Sequence, residues 1–237
     1  MDEDTRKPLQ WTYDLVPVKS LPEPESGPTK TLVDGTLTRV NGALDKPIAY
    51  LDHSIPNVYD DSSPLHHFAS EQILKATGAD VVAFDRGQVR GQGLMLAEGQ
   101  NTISARQLMD SVPWHSKLWT ITVPKQRLAE IVELSKSKAE NDSLRLALAG
   151  LDTSNGQVRR SDGSELPNMV KLVTTSYIAQ GNSGYFKPGE VSGPSQEWPT
   201  VRSFVEEGLR QQDPRSSELP SLNQALQSGG LEVPKPI

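Results

Sequence analysis

The spacing of hydrophobic and polar positions changes several times along the chain, and each change predicts a new element. Residues 11–18, WTYDLVPV, alternate as a strand, and a lone strand at a chain start needs a sheet to join. SLPEPESGPTK, with three prolines and two glutamates, reads as an extended linker. Val33, Leu37, Val40 and Leu44 are spaced by four, three and four, which predicts an amphipathic helix over 31–44. KPIAYL follows as a strand. Ser63 then serves as an N-cap, with Pro64 at the first helical position and Leu65, Phe68, Ile73 and Ala76 on one side, until Gly78 stops the helix. DVVAF, a β-branched run without alternation, predicts a buried strand. It leads into DRGQVRGQG, whose glycines at 87, 91 and 93 permit turns closed to other residues.

Further along, Ser104 and Gln107 form a capping box for a short helix over SARQLMDSV, and the proline of VPWHS ends it. KLWTITV alternates as a strand. Pro124 opens a helix carrying Leu128, Ile131 and Val132. Leu144, Leu146 and Leu148 alternate next, and SNGQ and SDGS supply turns. KLVTTSYIAQGNSGYF runs as a strand up to Tyr177, then enters a loop flanked by Gly181 and Gly184 and closes on Tyr185 and Phe186. Pro199 is expected to start the last helix, with Val201, Phe204, Val205 and Leu209 inward. Residues 213–237, rich in Pro, Ser and Gly, read as a loosely attached or disordered tail. The expected organisation is therefore a strand and linker over 1–30, a domain over 31–212, and the tail.

Composition narrows what such a chain can do. It has 237 residues, 35% hydrophobic and 23% charged, enough for one moderately sized core. A net charge of −6 argues against a nucleic-acid partner, which needs a basic face to displace phosphate counterions. Cysteine is absent, which removes disulfides, thiolate metal sites and a cysteine nucleophile. His66 and His67 are adjacent, so on a helix they point about 100° apart and do not form a ligand pair; one is expected to face the core or a site and the other solvent. No apolar run approaches the roughly 20 residues that span a bilayer. MDEDTRKPLQ is acidic where a secretory signal is cationic and then apolar, so either the chain is cytoplasmic or the protein's N-terminus lies elsewhere.

Three loops could carry chemistry: 85–91, 112–117 and 177–186. Between them they hold two aromatics, Trp114 and Tyr177, and Arg90. Aromatics with an arginine suit a planar, polar and often anionic ligand, since stacking contributes about 1–3 kcal/mol per base and arginine supplies directed donors. Each also has a plainer role: a tryptophan after proline can plug a core, Gly-Asn-Ser-Gly can be an ordinary turn, and Arg90 can form a surface ion pair. The loop at 85–91 lacks the Gly-Lys-Ser/Thr ending of a phosphate loop, and no serine lies in Gly-x-Ser-x-Gly.

The segments PLHHF, TGAD, DRGQVR, PWHSK and YIAQGNSGY, in this order and spacing, resemble the C-terminal domain of the 5'-nucleotidase family of metallophosphoesterases over about residues 46–210. The family pattern has an Asn-Leu-Gly-Asn-Leu helix start, Thr-Gly-Ala-Asp, Asn-Gly-Gly-Gly-Ile-Arg, Pro-Phe-x-Asn and Phe-x-x-Gly-Gly-Asp-Gly-Tyr. The resemblance implies an α+β (mixed α/β) single domain, a mixed sheet with packed helices, that recognises a nucleoside or nucleotide-like small molecule. Carried over by position, Trp114 and Tyr177 would sandwich the base and Arg90 would contact the substrate. Asp85, His67, Gly181, Asn182 and Ser183 would complete the site. Ser183 stands where the family has an aspartate, which replaces a carboxylate by a hydroxyl. Arg86 and Gln88 add side chains where the family has glycines, and His115 and Ser116 add bulk after the aromatic.

The family's catalytic half holds two metals through Asp-x-His, Gly-Asn-His-Asp/Glu and Gly-His-x-His, none of which occurs in this sequence. The chain is accordingly expected to hydrolyse no phosphate ester by itself. Divalent metals, and no other cofactor, are expected only in a metallophosphatase domain joined in cis or supplied in trans. WTYDLVPV with its linker resembles the link out of that domain. The family is usually periplasmic or extracellular. A different expectation from the same residues is a degenerate structural or protein-interaction module, its site filled by Arg86 or His115.

Overall fold

In the computed structural model, residues 27–153 and 158–231 are described; the strand expected at 11–18, most of the linker and the SNGQ turn lie outside them. In chain order the elements are α1 (Pro28–Leu44), β1 (Pro47–Tyr50), β2 (Ile55–Pro56), α2 (Pro64–Thr77), β3 (Val81–Asp85), β4 (Gly93–Leu94), β5 (Thr102–Ser104), α3 (Ala105–Ser111), β6 (Lys117–Pro124), α4 (Lys125–Lys136), β7 (Leu146–Ala149), β8 (Leu151–Asp152), β9 (Arg159–Arg160), β10 (Met169–Thr175), α5 (Ser176–Ala179), β11 (Gln196–Thr200), α6 (Val201–Gln212) and α7 (Leu222–Ser228). The chain divides into two units, 1–38 and 39–237. In the first, the early part of α1 is helical as its spacing predicts, yet Val33 and Leu37 are about half exposed, so the apolar stripe is not buried there.

The second unit is an α+β domain built on a five-stranded mixed sheet in the order β11-β6-β10-β3-β7. β10 runs parallel to β3, with Leu172 opposite Val81 and Thr174 opposite Ala83; the other pairings are antiparallel. All five residues of β3 are buried because helices cover both faces of the sheet. Side chains alternate between two cores, as a strand's two-residue period requires. Val82, Phe84, Val173 and Leu118 meet α2, α3, α6 and α7 on one face. Val81, Ala83, Ile121, Val170 and Leu172 meet α4 and α5 on the other.

Local signals set most helix ends. The Ser104–Gln107 capping box forms in full. Gly78 ends α2 at φ 59°, a left-handed conformation that glycine adopts without penalty. Ser63 occupies the N-cap of α2 but makes no capping bond; its hydroxyl donates to Asn57 Oδ1 at 3.0 Å instead. Two expectations are corrected at the end of the chain. Pro199 belongs to β11, and the helix after it starts at Val201, capped by Thr200, whose Oγ1 accepts from Ser203 N–H. That helix is also not the last. Residues 214–218 form a 3-10 turn and 222–228 form α7, which is fastened by a second capping box, Ser221 with Gln224. Leu222, Ala225 and Leu226 enter the larger core, so the domain extends past 212 and the segment through 228 is not a loose tail. Its few apolar residues suffice because they recur on one face of a short helix.

Leu226→Ala is expected to lower unfolding free energy by about 2–5 kcal/mol, the usual range for emptying a buried leucine site. Urea unfolding followed by circular dichroism measures this, and a change near zero would mean that α7 is not part of the core.

Candidate functional site

The two-residue alternation of β3 decides which of its last side chains reaches the site. Asp85 falls on the side of Val81 and Ala83, and Arg86, next along, points toward α2. The turn after them is tight. Gly87 N–H donates to Ser143 O at 2.7 Å, and a Cβ at position 87 would lie 3.2 Å from an Asp85 carboxylate oxygen and 3.3 Å from Ser143 O. A side chain at position 87 would therefore crowd the turn, which suits the glycine found there. Arg90 then donates its backbone N–H to Ser111 O at 2.8 Å, which ties the turn to the end of α3.

Trp114 stands two residues beyond Val112, the C-cap of α3. Its indole N–H donates to Gly87 O at 2.6 Å, and the Arg90 guanidinium lies 4.6 Å from its ring centroid, a cation–π stack. Tyr177 does not sit at a strand end as its sequence suggests. β10 stops at Thr175, whose Oγ1 caps α5, and Tyr177 lies in the first turn of that helix, 41% exposed. Trp114 is similarly exposed, at 42%.

Asp85, Arg90, Trp114 and Tyr177 all line one cavity of about 210 Å³, with Gly87, Gln88, Ser116, Ser143 and Leu144. Asp85 is buried, and burial pushes its carboxyl above the ordinary 3.8; Gln88 Nε2 donates to it at 3.3 Å. Ser143 and Leu144 were not expected. They arrive because β7 pairs antiparallel with β3, with Leu146 opposite Asp85, so the turn before β7 must lie beside residue 87. The Asn-Asp-Ser run at 141–143 was the available turn signal, and Asp142 Oδ1 does accept from Leu144 N–H at 2.8 Å.

The remaining residues expected from the sequence lie elsewhere. Asn182 is exposed. Ser183 is buried, and among the described residues its hydroxyl has no hydrogen-bond partner. Gly181 has φ 90°, and a Cβ there would meet Pro188 N at 2.8 Å, so the close backbone approach in this loop is to its own chain. Below it, Tyr185 and Phe186 are buried, Tyr185 Oη donates to Leu144 O at 2.6 Å, and Arg127 holds Tyr185 O at 2.6 Å and Glu190 at 2.7 Å.

His67 lines a second cavity, of about 250 Å³, with Asp60, Asp61, Arg86 and Arg145. It is exposed, and its Nε2 donates to Asp61 O at 2.9 Å. His66 faces the core, donates from Nε2 to Arg86 O at 3.1 Å, and is pushed down to about 4 chiefly by burial. Arg86 is buried against α2, paired with Asp61, and does not line the Trp114 cavity. Neither does His115, which accepts from Arg202 at 2.6 Å. Among the described residues, no group of three His, Asp or Glu is arranged to hold a metal ion, and no helix is long and apolar enough to cross a membrane.

Neither a protein-family model nor a curated protein sequence matches the chain. Solved structures do. A 5'-nucleotidase precursor from Thermus thermophilus superposes over 77% of this chain at TM-score 0.58 and 16% identity. A protein from Staphylococcus aureus assigned as a 5'-nucleotidase superposes over 83% at TM-score 0.59 and 12% identity. The chain spans only 40% and 43% of those two proteins. The sulfate thiohydrolase SoxB of Thermus thermophilus also matches, over 77% of this chain and 35% of its own, at TM-score 0.50 and 14% identity. The domain thus has a fold found in 5'-nucleotidases, in a portion amounting to about two-fifths of their length.

Asp85→Asn is expected to stabilise the protein at neutral pH. With the folded carboxyl raised above 3.8, the folded state binds a proton that the unfolded chain lacks between those two values, so the cost of the carboxylate is full at pH 7 and vanishes in acid. A gain of about 1 kcal/mol corresponds to a Tm rise of roughly 2–4 °C at pH 7 in a domain of this size. Thermal melts at a series of pH values should show the difference shrinking as pH falls; a lower Tm for the variant at pH 7 would contradict it.

Proposed function

We propose that this domain is the substrate-recognition part of a 5'-nucleotidase-like metallophosphoesterase, and that it binds a nucleoside or nucleotide between Trp114 and Tyr177. The observation that carries the reading is a single cavity lined by Trp114, Tyr177, Arg90 and Asp85, which three separate segments of the chain deliver. Two aromatics supply faces for a planar base, Arg90 supplies positive charge and donors, and Asp85 and Gln88 supply a polar edge. That Arg86 and His115 point out of this cavity also supports an open site. The metals and phosphate chemistry of such a hydrolase would belong to a metallophosphatase domain, in cis or in trans.

Isothermal titration with adenosine and AMP tests this. Binding is expected, and Trp114→Ala should weaken it roughly 5- to 150-fold, the equivalent of about 1–3 kcal/mol of stacking. A folded protein that binds no nucleoside or nucleotide would overturn the reading. In the same preparation, AMP with added Mg²⁺, Mn²⁺ or Zn²⁺ is expected to release no phosphate; steady turnover that resists further purification would refute the assignment of the catalysis to another domain.

A second reading, a structural or interaction module of the same fold, has one observation in its favour. Arg90 already covers one face of Trp114, and the indole N–H is already bonded to Gly87 O. Titration separates the two, since a filled site gives no heat with any planar ligand.

A further inference from the structure

Arg202 is 5% exposed and lies in the first turn of α6, where the helix dipole disfavours a cation. A buried arginine normally finds a carboxylate. This one has two acceptors of another kind: Nη2 donates to His115 Nε2 at 2.6 Å, and Nη1 reaches Val112 O at 3.4 Å. These acceptors stand on either side of Pro113 and Trp114. The guanidinium therefore grips both ends of the segment that carries the tryptophan, from a helix that contributes nothing else to the cavity.

Resting on the reading of Trp114 as a base platform, we propose that Arg202 is a positioning residue for that platform, acting through His115, and that the platform is held only while His115 is neutral. The chemistry follows from the donor inventory. Arginine has donors and no acceptor, so His115 Nε2 must present its lone pair and its proton must sit on Nδ1. Protonating the ring removes the acceptor and sets two cations against each other. The charged groups around the loop do not offset this. Arg202 acts directly on His115, and Glu206, one turn along α6, acts on Arg202 but accepts Leu222 N–H at 2.7 Å. Arg90 lies on Trp114, and Lys117, at the start of β6, is paired with Glu197. Burial, and then the Arg202 charge, hold the His115 imidazole below the ordinary 6.5. The unfolded chain therefore takes up this proton first as pH falls, and the grip is complete above about pH 6.5 and is lost in acid.

The test uses the full chain labelled with ¹⁵N and follows the indole N–H resonance of Trp114, identified by its absence in Trp114→Phe. No ligand is needed. From about pH 8 down to the acid limit at which the protein stays folded, the wild-type resonance is expected to shift in a single step lying below the ordinary 6.5 of an imidazole. His115→Gln, which keeps an acceptor at the same reach but cannot be protonated, should lose that shift and keep the high-pH position. Arg202→Gln should show the resonance displaced at every pH; if that variant does not fold, the His115→Gln result decides alone. A wild-type resonance that ignores pH, or a step of equal size in His115→Gln, would overturn the proposal. Because the signal is read without nucleoside, absence of nucleoside binding with the step present would sink the functional reading alone, and binding with no step would sink the grip alone.

Discussion

Everything at the candidate site depends on the parallel pairing of β10 with β3. Two parallel neighbours finish at the same end of a sheet, and antiparallel neighbours begin there. With Thr174 opposite Ala83, the chain leaves β3 at Asp85 and β10 at Thr175 on one edge, while β6 enters at Lys117 and β7 at Leu146 on the same edge. Four connections that are far apart in sequence thereby converge, and the cavity is the space between them. Ligand sites commonly lie beyond the carboxyl ends of parallel strands for this reason. An antiparallel β10 would send Tyr177 to the opposite end of the domain from Trp114.

The turns around this edge are joined by hydrogen bonds whose acceptors are mostly backbone carbonyls. Trp114 N–H reaches Gly87 O, Arg90 N–H reaches Ser111 O, Gly87 N–H reaches Ser143 O and Tyr185 O–H reaches Leu144 O. Backbone acceptors are present whatever the side chain, so the edge keeps its shape through extensive sequence change. This suits a domain that superposes on 5'-nucleotidase structures at only 12–16% identity.

Much of this was legible in the sequence, and the exceptions share a cause. Helix caps, β-branched runs and glycine stops act within a few residues, so β3, α2 and α3 could be read directly. Trp114, Tyr177 and Arg90 fall in segments that the pattern placed beside predicted elements, and the structure brings them to one cavity with Asp85. Position along a loop did not reveal its path. Ser183 and Gly181 are on the right loop but turn into the domain, and His67 turns to Asp61 while its neighbour His66 takes the inward place. Composition misled at the C-terminus, where few hydrophobic residues are needed once a capping box aligns them. It misled in the opposite direction at α1, whose regular spacing gives a helix but leaves Val33 and Leu37 about half exposed.

Tyr185 has a mechanical consequence. Its ring is fully buried in the second core, while its hydroxyl holds the carbonyl of Leu144, a residue of the cavity wall. The segment after α5 and the turn before β7 are therefore tied together by a bond whose donor is anchored in the core. Moving the wall at Leu144 costs that hydrogen bond, about 0.5–1.5 kcal/mol net, unless the packed aromatic moves with it. On that side the outline of the cavity is tied to the core, whereas on the other it is drawn by the half-exposed ring of Trp114.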